Sequence, residues 1–512
     1  MGSEMCIRDS LYPFSGTAES LKALGRVVNG NVSVRPMAEG IEADYVVRGG
    51  REVCGPFTNL RVEGVWSTDD RALQLDGVPH VESIVSGKAG SLFARFELPG
   101  LNLFVASTKA VFDTSAEYLR NLDVRECFSG LVPLLFFLRH CRISIPQTPL
   151  RWANWIIDDP NLTPRYGFLD VKGLVPCIRE LGAAASIAFI PWNHRRTARE
   201  IVGLFRENWP QISICIHGCD HTGAEFSTKT MSAASPLIDL AMKRMQDLKA
   251  ETDLGFERIM VFPQGRFSCE AMRALRSSEM LAAVNTELLD CQTGRGVKGC
   301  ELLRPAIMSF GGFPLFVRRP AEEAPANFAL DMLLGKPCLI VTHHPYFAQG
   351  LKPLRSVVET LNTLEPELTW TNLEQGIAST YSVRQTSDGK RHVRLYSPRT
   401  IVQTSSGEAL YFSKRETEAD LVETLIDGTR IDYGRANGEV EFSFRGIGRK
   451  NLTVETFLAA QPETLWPVQS RKYRLKVTAR RYLTEVRDNY LHRFPRLTAH
   501  AASLQQLLHR EQ

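Results

Sequence analysis

Hydrophobic and polar positions change rhythm twice along the chain. Over residues 11–140, short alternating or apolar stretches such as "ADYVVRGG", "NLRVEGVW", "SLFARFELPG" and "LNLFVAST" are separated by turn residues. A period of two between turns predicts strands, so residues 11–145 are expected to form an N-terminal β-rich domain. Helical pattern in it is confined to residues 116–122 and 128–140. From Trp152 to about Tyr381 the rhythm becomes strand, helix, strand, helix. The candidate strands are "NWIID", "AASIAFIP", "ISICIHG", "RIMVFPQG", "LAAVNTE", "ELLRPAI", "CLIVTHH" and "ELTWTNL". Amphipathic stretches such as "TAREIVGLFRENW" and "PLIDLAMKRMQDLKAET" lie between them. Several of these strands are almost wholly apolar, as parallel strands covered on both faces must be. Seven or eight such units within about 230 residues predict an α/β fold, a distorted (β/α)7-8 barrel over residues 146–383. Alternation returns after it in "HVRLYSP", "EALYFSK", "GEVEFSFRGIG", "NLTVETF" and "YRLKVTA", so residues 384–512 read as a β-rich module with a basic helical tail, "SLQQLLHR". Residues 1–10, "MGSEMCIRDS", read as a non-native leader.

Composition narrows this little. The 512 residues are 44% hydrophobic and 23% charged, with a net charge of +4, enough apolar surface for several cores and no global signature of a nucleic-acid binder. Eleven scattered cysteines with no CxxC pair argue against a disulfide framework and for a reducing, cytoplasmic setting. No run is long enough to span a membrane; "FSGLVPLLFFLRHC" is too short and reads as a buried segment. The last 42 residues carry ten Lys/Arg against three Asp/Glu, but at no clean helical period, and read as a solvated basic face.

Chemistry enters at the strand ends. The first barrel strand finishes in Asp158–Asp159, the third in His217 with His221 four residues on, and a late strand in His343–His344. The fourth ends in Pro263 and Gly265. Parallel barrel strands turn their C-terminal ends to one rim, where sites are built, so these groups are expected to converge on one mouth. Two imidazoles and one carboxylate at such spacing can hold a divalent ion and leave positions open for water and substrate. That accounts for the paired carboxylates: one meets the ion and the other is left as a base.

In order and spacing, Asp-Asp after a first strand, H-x-x-x-H after the third, Pro-x-Gly after the fourth and a late strand ending in His resemble the polysaccharide deacetylase family with the NodB homology domain, carbohydrate esterase 4-like. The patterns "DDP", "HGCDHTGAEF" and "THHPYF" place the likeness in a divergent branch, over residues 152–381. The resemblance implies a divalent metal, zinc first with Co2+, Ni2+ or Mn2+ as alternatives, and an acetylated carbohydrate as substrate. Carried over by position, Asp159, His217 and His221 are the ligands, Asp158 is the base that takes a proton from the attacking water, and His343 is the acid. Two departures stand out. Val261 occupies the place of an arginine that normally accompanies the third motif, and the fourth motif, with its acids and Trp, is not visible. Arg266, Arg304 and Asp290 are the candidates to stand in.

Around this set, Asp220, Glu225, Pro263, Gly265, His344 and Tyr346 are read as supporting or substrate-contacting residues. Cys215 shares the face of His217 one step deeper and is expected to pack. "GRGVKG" at 294–299 matches a dinucleotide-loop spacing but is followed by an apparent strand, and no G-x-S-x-G elbow is present. Two other functions fit the chain: a different metal-dependent amide or ester hydrolase, or a non-catalytic carbohydrate-binding or scaffold protein built on a degenerate barrel.

Overall fold

The structure, a computed structural model, describes residues 9–13, 16–36, 43–65, 68–141, 148–386, 390–405, 407–416, 422–445, 450–458 and 469–490. Its centre is a nearly closed barrel of eight parallel strands: Trp152–Asp158, Ala185–Phe189, Ile212–His217, Ile259–Val261, Ala282–Asn285, Leu315–Val317, Arg319–Pro320 and Cys338–His343. Around the barrel they run sixth, fifth, fourth, third, second, first, eighth, seventh. The sixth and seventh are two halves of one extended segment. Its first half pairs with the fifth strand and its second half with the eighth, and the change of partner falls at Arg318. A predicted strand at "ELLRPAI" is instead the short helix Gly299–Leu302 and a turn, and the sixth strand lies further on. Three residues are too few to show a period, so the stronger apolar run drew the assignment.

Side chains alternate along a strand. Trp152, Ile156 and Asp158 therefore share the inward face of the first strand, and Cys215 and His217 that of the third. Trp152, Ile156, Cys215, Ile259, Val261 and Phe316 fill the interior as one apolar cluster. Asp158 and His217 are the polar top layer of that stack. Register fixes their neighbours: Asp158 stands opposite His343 on the eighth strand and Ala188 on the second, and His217 opposite Val261.

An eight-stranded sheet precedes the barrel. The helix Val124–His140, N-capped by Asp123, lays Phe128 and Phe136 against Phe57 and Phe93 of that region, and one core continues from there to the outer face of the barrel. Residues 116–122 are not helical. Glu117–Tyr118 is extended and pairs with Val297–Lys298, a partner about 180 residues away that no local pattern could reveal. The helix Ala18–Val27, capped by Thr17, was not anticipated among the strands. The first strand begins at Asp9, inside the stretch read as leader, and pairs with Leu101–Ala106. After the barrel, a five-stranded and a four-stranded sheet enclose a separate core containing Tyr381, Phe412 and Val454.

The predicted strand at "YRLKVTA" is a helix, Arg471–Asn489, whose N-cap Ser470 accepts a hydrogen bond from the Tyr473 amide at 3.1 Å. Its inward residues, Val477, Arg481 and Asp488, are largely polar, whereas Leu475 and Leu483 are 71% and 69% exposed. An amphipathic signal with its polar face inward does not show in a hydrophobicity pattern. The tail "SLQQLLHR" lies outside the described residues. No helix among the described residues is long and apolar enough to cross a membrane.

Gly376, in the helix Leu373–Ala378, lies flat against the buried indole of Trp152, which is held by its own Nε1–H donating to Thr380 at 2.8 Å. A methyl group there would overlap ring atoms that have nowhere to move. Gly376→Ala is expected to destabilise the protein by about 1–3 kcal/mol, read as a lower midpoint of denaturation; an unchanged midpoint would show that the ring is not fixed.

Candidate metal centre and its cleft

The strand ends converge on a cleft of about 720 Å³ at the barrel mouth, lined among others by Asp158, Asp159, His217, His221 and His343. Asp159 leaves the first strand with φ of 82°, an unusual backbone for a non-glycine residue, and its amide donates to the Ala188 carbonyl at 3.3 Å. This turn brings its Oδ1 within 3.4 Å of His217 Nε2 and 3.3 Å of His221 Nε2. The loop that delivers His221 is folded around one carboxylate. Glu225 accepts from the amides of Cys219, Asp220 and His221 at 2.6, 3.2 and 3.1 Å. Gly218 makes this possible: at its φ of 65°, a Cβ would strike both Glu225 and Pro263.

Donor atoms of Asp159, His217 and His221 lie within 4.8 Å of one another. The His217 Nδ1 is 3.0 Å from the Val261 carbonyl. A carbonyl only accepts, so the ring proton sits on Nδ1 and Nε2 presents a lone pair. The Asp159 Oδ1 it faces is buried without a hydrogen-bond partner. Lone pairs converging on an orphaned carboxylate oxygen fit a divalent cation, and two imidazoles with one carboxylate suit zinc or a similar ion. The charges agree. Burial resists ionisation of Asp159, but His221 and His217 hold it well below the usual carboxylate range. Burial drives His221 down to about 3, so this ring is neutral and able to ligate at neutral pH. For His217 burial works downward too, but Asp159 and Asp158 outweigh it and raise the ring above its usual value, so a bound cation would have to take the place of a proton on Nε2.

Asp158 is committed elsewhere. Both its oxygens accept from Arg318, Oδ1 from Nη1 and Oδ2 from Nη2, each at 2.7 Å. The two residues are 2% and 4% exposed. Burial alone would raise this carboxyl, and Arg318 with His217 brings it below its usual value. His343 stands across from it, Nε2 3.8 Å from Oδ2, with its side chain 57% exposed to the cleft.

Comparison with solved structures returns carbohydrate deacetylases and esterases. The chain is similar to Agd3, described as a novel carbohydrate deacetylase, at 10% identity over 83% of each chain with a TM-score of 0.43. It is similar to a family 4 carbohydrate esterase from Streptomyces lividans at 12% identity, over 43% of this chain and 91% of that one, with a TM-score of 0.24. A family 4 acetyl xylan esterase from Clostridium thermocellum matches at 11% identity, over 44% and 88%, with a TM-score of 0.27. The last two are described as family 4 carbohydrate esterases, and the likeness is remote. No family model and no curated protein matches the chain.

The expected stand-ins for the two departing motifs do not line the cleft. Arg266 is exposed and does not line the cleft. Arg304 pairs with Glu301 at 3.3 Å, and Asp290 closes a turn by accepting from Gln292 and Thr293. The guanidinium beside Asp158 comes instead from Arg318. "LFVRRP" carries the same signal as the first strand, an apolar run ending in a charged pair, with Arg318 turned inward and Arg319 outward to Asp331. The other supporting residues divide. Gly265 and Tyr346 line the cleft, Tyr346 leaning on Trp155 with ring centroids 5.6 Å apart. Pro263 and Glu225 shape the loops beneath. Asp220 faces away, accepting from Arg244, Gln469 and Tyr473. His344 is buried against Phe168 and Tyr166, its Nε2 3.7 Å from Asp488 of the C-terminal helix. Cys215 and Cys219 are fully buried, and burial pushes both thiols well above the usual range.

Within the described part of the basic tail, Arg471, Lys472, Arg474 and Lys476 are exposed as a solvated face would be, but three other arginines are not. Arg480, Arg481, Thr484 and Arg487 of the helix Arg471–Asn489 line the cleft. The contacts that dock the helix there include Glu485 with Arg196 in a two-pronged pair at 2.6 and 2.7 Å, Asp488 with Tyr166 at 2.7 Å, and Tyr473 with Asp220 at 3.1 Å.

Removing one partner of a buried ion pair strands the other charge. Arg318→Gln is expected to lower stability by about 3–5 kcal/mol, measured by chemical denaturation. Arg318→Lys keeps the charge but not the planar fork and should recover only part of the loss. Equal stability of Arg318→Gln and wild type would mean that the pair does not organise the mouth.

Proposed function

We propose that this chain is a metal-dependent hydrolase that removes acetyl groups from the sugars of a polysaccharide or glycoconjugate. The observation that carries the reading is one cleft joining an Asp159–His217–His221 cluster to a second carboxylate, Asp158, that is held apart from it by its own arginine. A divalent ion held by Asp159, His217 and His221 would supply a Lewis acid, polarising the acetyl carbonyl and lowering the pKa of water.

The chain's own residues then divide the proton work. Asp158 accepts the proton of the attacking water as the new C–O bond forms. Arg318 fixes the plane of that carboxylate and keeps it ionised, so that it is available as a base at neutral pH. His343, open to the cleft on the far side of Asp158, donates a proton to the sugar nitrogen or oxygen as its bond to the acetyl carbon breaks. Acetate and the free amine or hydroxyl leave. Tyr346, braced on Trp155, offers a ring against which a sugar can stack. The absent arginine was the feature favouring a non-catalytic scaffold; Arg318 supplies a guanidinium at the same carboxylate, which supports the enzyme.

Two measurements test this. Elemental analysis of the purified protein is expected to find one divalent ion per chain, and His217→Ala should lose it; equal metal content in the two would make the ligand assignment wrong. Asp159→Asn should lose metal and activity together. Asp158→Asn should retain metal and lose hydrolysis of an acetylated chito-oligosaccharide or a chromogenic acetyl ester by about 10²–10⁴-fold. Full activity in Asp158→Asn would remove the mechanism.

A further inference from the structure

The helix Arg471–Asn489 puts into the cleft a guanidinium that has no partner among the described residues. Arg481 is 4% exposed, and its Nε and Nη1 are buried without a hydrogen-bond partner. No ion pair reaches it among the described residues, although Arg487, six residues on, is tied to Asp488 at 2.7 Å and Arg318 is tied to Asp158. Arg480 beside it also lines the cleft, with no hydrogen bond or ion pair among the described residues and crowded by Arg481 and Arg487. The acids that could answer are placed elsewhere. Glu225 is occupied by three backbone amides, while Glu287 and Glu322 line the cleft as exposed residues. Arg481 is close enough to His221 to act on it electrostatically, so the unpaired charge lies beside the metal centre rather than at a distant rim.

Burying an unpaired guanidinium is unfavourable, and a folded chain keeps one where a ligand completes it. A guanidinium presents two planar forks, Nε with Nη2 and Nη1 with Nη2, each matching a carboxylate or a phosphate through two parallel hydrogen bonds, and the orphaned Nε and Nη1 of Arg481 lie one on each fork. A neutral sugar hydroxyl can accept only one such bond and leaves the charge uncompensated. The docking contacts of the helix hold these forks in place.

We infer that the cleft selects an acetylated sugar bearing a carboxylate or phosphate group, with Arg481 as its principal anchor and Arg480 beside it. This specifies the substrate of the deacetylase proposed above and rests on that reading, but the anion site has a readout of its own. The metal-loaded full-length protein is titrated with glucuronic acid, glucose 6-phosphate and glucose, with binding followed by calorimetry. At least one anion should bind tenfold or more tightly than glucose, and which one binds distinguishes carboxylate from phosphate recognition. Arg481→Gln should abolish this preference and Arg481→Lys should retain part of it. In hydrolysis, the ratio of kcat/KM on an acetylated uronate-containing oligosaccharide to that on a neutral acetylated chito-oligosaccharide should fall at least tenfold in Arg481→Gln, mainly through KM. Equal binding of glucose and both anions by wild type overturns the inference, as does an equal loss on both substrates in Arg481→Gln, which would place Arg481 in the chemistry. If Arg481→Gln does not fold, Arg480→Gln decides, with a weakened anion preference expected and an unchanged one counting against the site. Anion binding without hydrolysis of any acetylated substrate would sink the deacetylase reading and leave the anion site standing.

Discussion

Arg318 and Asp158 satisfy each other inside the barrel mouth, and the surrounding geometry follows from that. An aspartate at the top of an apolar interior would take up a proton rather than stay charged. The two-pronged pair at 2.7 Å keeps it ionised and turns it away from Asp159. Two adjacent carboxylates can then face different partners, one an arginine and the other two imidazoles. The position of Arg318 is itself a result of topology, because it sits where one extended segment leaves the fifth strand for the eighth. Closing the barrel and placing the guanidinium are a single structural event.

Loop shape around the mouth depends on the same economy of polar groups. Glu225 gathers three amides and so fixes the turn that carries His221 beside His217. Asp488 and Glu485 pull the C-terminal helix onto the rim, and Asp220 anchors its start through Tyr473. Because these anchors are polar, the helix turns its charged stripe inward and leaves Leu475 and Leu483 to the surface.

Much of this was legible in the chain. Strands covered on both faces must be continuously apolar, so "NWIID" and "ISICIHG" announced themselves, and the polar residue ending each one belonged to the mouth. Asp158, Asp159, His217, His221 and His343 all lie there. What could not be read has physical causes. Leu315–Val317 is too short for a periodic signal, so Arg318 was passed over in favour of arginines nearer the expected motif. Glu117–Tyr118 is extended because of a distant partner. The C-terminal helix carries its polarity inverted, and local alternation made "YRLKVTA" look like a strand. Within the barrel, segments with ordinary amphipathicity were found, and those whose shape is set by long-range polar contacts were not.

The order in which the mouth is assembled follows from the position of that helix. The cluster of Asp159, His217 and His221 and the Asp158–Arg318 pair come from residues 158–318, whereas Arg480 and Arg481 come from Arg471–Asn489. During synthesis this cluster can therefore form while the helical wall of the cleft is still being made. A chain cut short just before Ser470 would keep the Asp159–His217–His221 cluster and the Asp158–Arg318 pair and lose the docked arginines, leaving the mouth open on one side.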